Sequence, residues 1–227
     1  MSVIAIIPAR GGSKRLPRKN VVSFLGEPII AYSIRAALAS DCFSSVLVST
    51  EDPEIEHVAR EAGAEVVQRP VDLASDTAGV VDVCVQVLGS IADRPKWFCC
   101  LYPTAPLRSA ADIRQTLEIV ISCRSQFAMA VTDFDLPAHQ ALSLGDDGSA
   151  EPMMPELASL QGQAAPEIVV DNGSTYAADV DAFLRQRSFY GPGLCVHRMP
   201  RWRSVDIDTE EDLELARWYA TRYGVAA

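Results

Sequence analysis

Short apolar runs alternate with helical patterns along the first 132 residues, and this alternation constrains the fold more than any other feature. Val3 to Ile7 reads as a buried strand, because the run is short, apolar and rich in isoleucine and valine. Residues 28–40 have helical composition, with Ile30, Ile34, Ala37 and Leu38 sharing a face. VLVST (46–50) is the next strand, and Asp52-Pro53 then supplies a cap and a proline suited to a first helical turn. That helix stops at Gly63, and 64–70 forms a third, shorter strand. A helix over 79–92 and the strand WFCCLY (97–102) follow. Ser109 and Asp112 form a capping-box signature that opens a helix to about Ser122, and FAMAVT (127–132) is another buried strand. Such alternation implies an α/β fold with a doubly wound, mostly parallel sheet, whose ligands sit beyond the carboxyl ends of the strands.

The second half breaks the pattern. Prolines 137, 152, 155 and 166 and the turn GDDG (145–148) interrupt any long helix, so 133–167 reads as an excursion from the sheet, a lid or a subunit contact. HQALSL before the turn suits one arm of a hairpin. IVV and STYAA then return to the sheet, a helix covers 179–187, LCVHRMP is a late strand, and Thr209 with Asp212 caps a final helix. At 227 residues the chain is expected to form a single domain, 1–227.

The loop after the first strand, IIPARGGSKRLPRKN, holds Arg10, Lys14, Arg15, Arg18 and Lys19 with no carboxylate among them. The whole chain carries a formal charge of -10, so this island runs against its background. An acidic balance argues against a general nucleic-acid binder but allows a small anion in one local basic pocket. Gly11 and Gly12 let the backbone approach phosphate oxygens, Ser13 can donate, and Arg10, Lys14 and Lys19 supply charge. The spacing matches neither GxGxxG nor GxxxxGK[ST]. An ordinary solvated basic loop is the alternative; the preceding strand and the glycines favour a polyphosphate cradle.

Asp206-Ile-Asp208 is the second constellation. Alternate residues of an extended segment point to one side, so both carboxylates can face one hard cation such as Mg2+. A helix cap plus a surface carboxylate is the bland alternative. DIDT also resembles the DxDxT nucleophile motif of haloacid-dehalogenase-type phosphatases. That motif normally follows the first strand, and too little chain follows Thr209 here to build such a domain. Arg69-Pro70 with Asp76, and PTAPLR (103–108), also fall at strand ends. His57, His139 and His197 show no triad spacing, and the six cysteines show no ligand spacing, so they read as reduced core thiols in a cytoplasmic protein. No signal peptide or membrane-crossing run is expected.

In order along the chain, IIPARGGSKRLPRKN, RPVDLASD, LYPTAPLR, NGSTY with FYG, and RWRSVDIDTEEDLELA resemble the motifs of the CMP-sialate synthetases, the acylneuraminate cytidylyltransferases. The resemblance implies a Rossmann-like sheet of the nucleotidyltransferase type and transfer from CTP to a nine-carbon 2-keto sugar acid, giving the CMP-sugar and pyrophosphate. It implies that Arg10, Gly11, Gly12, Ser13, Lys14, Lys19 and Asn20 hold the nucleotide and its phosphates, with Arg69 and Asp76 nearby. Asp206 and Asp208 match the metal-binding aspartates, implying Mg2+. Sugar-contacting positions fall on Tyr102, Thr104, Asn172, Tyr176, Phe189 and Tyr190. The 133–167 excursion resembles the dimerisation segment, implying a homodimer.

The sugar is less sharply drawn. Sialate enzymes commonly carry glutamine where this chain has Tyr102, and the opening and ending resemble the pseudaminate cytidylyltransferase branch. VVDNGSTYAAD is instead closer to the sialate form than to the YHDAGQFYW-like stretch of that branch. Legionaminate stays open, as does the eight-carbon Kdo, although a NVQGDEP-like segment is absent. The competing functional class is a catalytically lapsed CTP-binding module.

Overall fold

The computed structural model describes residues 2–75, 78–122, 124–160 and 164–225. Its first half follows the alternation. β1 (Val3–Pro8) leads through the basic loop to a small hairpin, β2 (Ser23–Phe24) and β3 (Glu27–Pro28), and into α1 (Ile29–Ala39). β4 (Ser45–Thr50), α2 (Pro53–Glu61), β5 (Glu65–Gln68), α3 (Val80–Ser90), β6 (Trp97–Leu101), α4 (Ala110–Ile121) and β7 (Phe127–Asp133) follow. The excursion contains the hairpin β8 (Leu142–Leu144) and β9 (Ala150–Pro152) and one turn of helix, α5 (Pro155–Ala158). β10 (Val169–Asp179), α6 (Val180–Gln186), β11 (Cys195–Arg198) and α7 (Glu210–Tyr223) complete the chain.

The main sheet runs β11-β7-β10-β6-β1-β4-β5. Its pairs are parallel except where β10 lies antiparallel between β6 and β7. Because strand side chains alternate between faces, β1 and β6 feed two cores at once. Val3, Ala5, Ile7, Trp97, Cys99 and Leu101 join the core under α1 and α4. Ile4, Ile6, Phe98 and Cys100 join the core under α3 and α6, where Phe98 meets Phe183 edge-on at 4.8 Å. Phe98 is fully buried, and truncating such a ring costs about 3–5 kcal/mol.

The helix starts are where the capping residues put them. Asp52 accepts from the amides of Glu54 and Ile55, with Pro53 in the first turn of α2. Ser109 with Asp112, and Thr209 with Asp212, close reciprocal capping boxes on α4 and α7.

The expected pair of returning segments, IVV and STYAA, is one eleven-residue strand. Its register against β7 slips between Asp171 and Tyr176, so Asn172-Gly173, a dipeptide that favours turns, forms a bulge inside the strand. Gly173 takes a φ of 64° there. The third strand also ends at Gln68, before Pro70.

A third apolar cluster sits at the carboxyl end of the sheet. It joins Leu16 of the basic loop to Phe24, Ile29, Leu107, Val205, Ile207 and Leu213. This cluster brings the two ends of the chain together. Among the described residues, no helix is long and apolar enough to cross a membrane.

Candidate active site

Val205 and Ile207 are buried in that third cluster, so the alternating Asp206 and Asp208 face the other way. Leu16, buried beside them, holds the basic loop against the same segment. Two ion pairs seal the junction: Lys19 Nζ lies 2.5 Å from Asp208 Oδ1 and an Arg15 Nη 2.6 Å from Oδ2. Thr104, at the end of β6, donates its hydroxyl to Asp206 Oδ1, and its carbonyl accepts from the Ile207 amide at 2.9 Å. The basic loop, the LYPTAPLR segment and the acidic pair therefore meet at one point.

The loop is built to hold its shape. Asn20 is buried and donates from Nδ2 to the Arg10 carbonyl at 2.8 Å, while its Oδ1 has no hydrogen-bond partner among the described residues. The Gly11 amide donates to Glu51 Oε1 at 2.7 Å, and an Arg10 Nη donates to the Ser75 carbonyl at 3.0 Å. A Cβ on Gly11 would lie 2.4 Å from Asp52 Oδ2, so only glycine fits. Asp52 is itself clamped by Arg18, which takes a left-handed φ of 58°.

A cavity of about 460 Å³ opens above the loop, with Arg10, Ser13, Lys14, Lys19, Asn20 and Arg69 in its wall. Arg69 is buried and donates to the Ser49 carbonyl at 2.7 Å; burial pulls its guanidinium below the ordinary value. Tyr102 and Thr104 line this cavity, and Tyr102 also lines a second hollow of about 550 Å³. Asn172, Tyr176 and Asp206 belong to that second hollow.

The two aspartates differ in environment. Burial pushes the Asp206 carboxyl up, and the nearby charge of Asp208 adds to the rise, outweighing the Thr104 hydrogen bond. Burial also works against the Asp208 charge, but the hydrogen bonds and charges of Lys19 and Arg15 win and hold it below the usual range. Two hard oxygen ligands on one side of a segment, one of them short of positive charge, fit a divalent cation such as Mg2+.

Most sequence-derived site residues come together here, with differences at the edges. Gly11 and Gly12 are in the loop; Gly12 has open space where a side chain would stand. Tyr190 is exposed yet reaches Asp171 Oδ2 with its hydroxyl at 2.7 Å. Phe189 is a correction: it is buried among Phe98, Tyr176 and Phe183 and supports the hollow from behind. Asp76 lies outside the described residues.

Sequence reading missed the Glu51 and Asp52 supports, whose signal is the acidic STEDPE stretch closing β4, and it missed Asp171. It also missed a buried cluster around Asp112. That carboxylate takes Ser109 Oγ at 2.6 Å, Arg203 Nη at 2.9 Å and His197 Nε2 at 3.0 Å. Ser109, His197 and Asp112 form no nucleophile relay, because both partners converge on the carboxylate rather than on each other.

The family model for cytidylyltransferases matches residues 4–132, which span the basic loop and the LYPTAPLR segment. The pseudaminic acid cytidylyltransferase of Campylobacter jejuni serotype O:2 is 37% identical, over 96% of this chain and 95% of its own length. The CMP-N,N'-diacetyllegionaminic acid synthase of Legionella pneumophila is 34% identical, over 95% and 94% respectively. Among solved structures, a CMP:2-keto-3-deoxy-manno-octonic acid synthetase complexed with CTP shares the fold at a TM-score of 0.74 and 18% identity, covering 98% of this chain and 99% of that one. With that full-length likeness and a family match over more than half of its residues, the chain belongs to the cytidylyltransferase family.

Proposed function

We propose that this protein activates a nonulosonic acid, of the pseudaminate or N-acylneuraminate type, with CTP, releasing pyrophosphate and forming the CMP-sugar. The observation that carries the reading is the meeting of two hollows at Tyr102, with basic side chains on one side and Asp206 in the wall of the other. The 37% likeness to a pseudaminic acid enzyme supports the sugar class.

The chemistry is in-line attack by the sugar's anomeric hydroxyl on the α-phosphorus. Such transfer depends mainly on positioning and on neutralising charge as it moves to the leaving group. Arg10, Lys14 and Lys19 neutralise the departing pyrophosphate, and the Gly11-Gly12 backbone lets the phosphates come close. On binding, Lys19 and Arg15 exchange Asp208 for phosphate oxygens, which frees that carboxylate. Asp206 and Asp208 would then hold Mg2+, which supplies charge neutralisation at the α-phosphate. Tyr102 and Thr104 separate nucleotide from sugar, and Asn172 and Tyr176 shape the sugar wall.

The same proposal includes a homodimer and a cytoplasmic setting. The excursion exposes Leu136, Leu142, Leu144 and Met153, an apolar group suited to a second copy. Free thiols at Cys84, Cys99 and Cys100 in the core suit a reducing compartment. The deciding experiment is pyrophosphate release with CTP and Mg2+ across a panel of nonulosonates. Release with at least one is expected; no release with any, in a protein that also fails to bind CTP, refutes the function. A monomeric mass by light scattering refutes the dimer.

A further inference from the structure

The second hollow has a wall that accepts hydrogen bonds. Asp171 lines it from the bulge in β10, opposite Asp206, whose Oδ2 would be 2.6 Å from a Cβ on Gly173. The Asp171 carboxylate takes three donors: the Gly173 amide on Oδ1 at 3.0 Å, the Tyr190 hydroxyl on Oδ2 at 2.7 Å, and the Tyr176 hydroxyl, shared between Oδ1 and Oδ2 at 3.0 and 2.9 Å. Three protons are thus spread over about four acceptor sites, and the shared one leaves capacity to accept a further donor from a ligand. Both phenols stay protonated: burial raises Tyr176 first of all, and the hydrogen bond to Asp171 raises Tyr190 to about 12. Tyr176, which lines the hollow, directs its proton at Asp171 and keeps only acceptor oxygen for the hollow.

Asp133, Asp135 and Asp212 add further carboxylates to the lining, and the one cationic side chain among the described lining residues, Arg201, is paired with Asp135. A wall of this kind repels an anionic group and needs donors. Amide N–H is the donor it suits best, because it cannot turn round to present an acceptor instead.

Resting on the cytidylyl-transfer reading, we infer that Asp171 is the specificity-determining residue of the sugar site, accepting the N–H of an acylamino substituent on the nonulosonic acid. Tyr176 and Tyr190 act as positioning residues that hold its carboxylate in place. The sugar's own carboxylate then faces away from Asp171, toward the cations of the basic loop.

The test compares an acylamino-bearing nonulosonate with its deaminated counterpart, which carries hydroxyl at the same carbon. The wild type should favour the acylamino sugar by about tenfold or more in KM, as expected when a ligand N–H loses a charged acceptor. In Asp171→Asn the carbonyl can keep the Gly173 amide and the Tyr176 hydroxyl at the Oδ1 position, and an NH2 replaces Oδ2, where it presents a donor instead of an acceptor to Tyr190 and the ligand. KM for the acylamino sugar should therefore rise about tenfold, and that for the hydroxyl sugar, which can accept instead, by less than about threefold. Unchanged kcat and an unchanged KM for CTP would show that the site is otherwise intact. Tyr190→Phe keeps the carboxylate but removes one donor that holds it, and should lower the preference partway, less than Asp171→Asn does.

No wild-type preference, or equal shifts for both sugars in Asp171→Asn, overturns the inference, and a preference left whole in Tyr190→Phe overturns the positioning role. The wild-type comparison decides even if a variant does not fold. A wild type that uses no nonulosonate defeats the functional reading instead.

Discussion

Gly11→Ala puts one methyl group against Asp52, the carboxylate that caps α2 beside the loop. The added Cβ would stand 2.4 Å from Asp52 Oδ2 and 3.1 Å from its Cγ. A free side chain would swing away, but Asp52 is tied on every side. Its Oδ1 accepts from the Glu54 and Ile55 amides at 3.0 Å each, and Arg18 holds both carboxylate oxygens. Moving it loses the N-cap of α2, about 0.5–2 kcal/mol. Weakening the half-exposed pair with Arg18 adds at most about 1 kcal/mol. The sum is about 0.5–3 kcal/mol, or roughly 1–12 °C in Tm for a chain of this size. Thermal unfolding measures the loss, and a rise in KM for CTP should accompany it because the loop is displaced. The cause is isolated by repeating the change in an Asp52→Ala background. There the clash is gone, and Gly11→Ala should be neutral or stabilising by about 0.4–1 kcal/mol through the unfolded chain. An equal loss in both backgrounds would refute the steric argument.

Other outcomes follow from the site and its supports. Asp208→Asn should cut turnover by about 100-fold or more with the melting curve preserved, and near-normal rates would remove it from the metal site. Lys19→Ala should lower kcat/KM for CTP by about 100-fold while leaving the KM for sugar unchanged; unaltered CTP kinetics would contradict the cradle. Chelation should stop turnover and added Mg2+ restore it, and full activity in excess chelator would exclude the cation. Burial alone would raise Asp112, but donors from His197, Ser109 and Arg203 hold it at about 2, below its unfolded value. Its contribution, roughly 2–3 kcal/mol, is therefore present above about pH 4 and lost as pH falls through about 2. Urea midpoints between pH 5 and 2 should show this decline in the wild type and a flatter one in Asp112→Asn.

Legibility in the sequence followed the range of the interaction. α2, α4 and α7 start at Asp52, Ser109 and Thr209, where caps act within three residues, and β1 and β6 show as apolar runs because both faces are covered. β10 showed only as two separate segments, IVV and STYAA. Asn172-Gly173 is a sound local turn signal, but pairing with both β6 and β7 outweighs it and converts the turn to a bulge. The site was legible in pieces. The basic loop and the DID segment each carried their chemistry, whereas their contact depends on Leu16 packing with Val205 and Ile207 across most of the chain. Alternation around Asp206 and Asp208 predicts which way they point, not what they meet. Phe189 was carried into the sugar site by motif resemblance, and ring packing against Phe183 and Tyr176 takes it into the core.

The structure also accounts for a basic island in an acidic chain. Arg10, Lys14, Arg15, Lys19 and Arg69 line the first cavity against Asp208, whereas Asp133, Asp135, Asp171, Asp206 and Asp212 line the second against Arg201. Tyr102 stands at the boundary. A triphosphate gains in the first space and is repelled from the second, so the two substrates of the proposed reaction are sorted by charge before any fine contact forms. A sugar acid carries one negative group, and the same field turns that group toward the boundary. Orientation and sorting thus come from one charge gradient, and the net charge of -10 resides partly in the wall that maintains it.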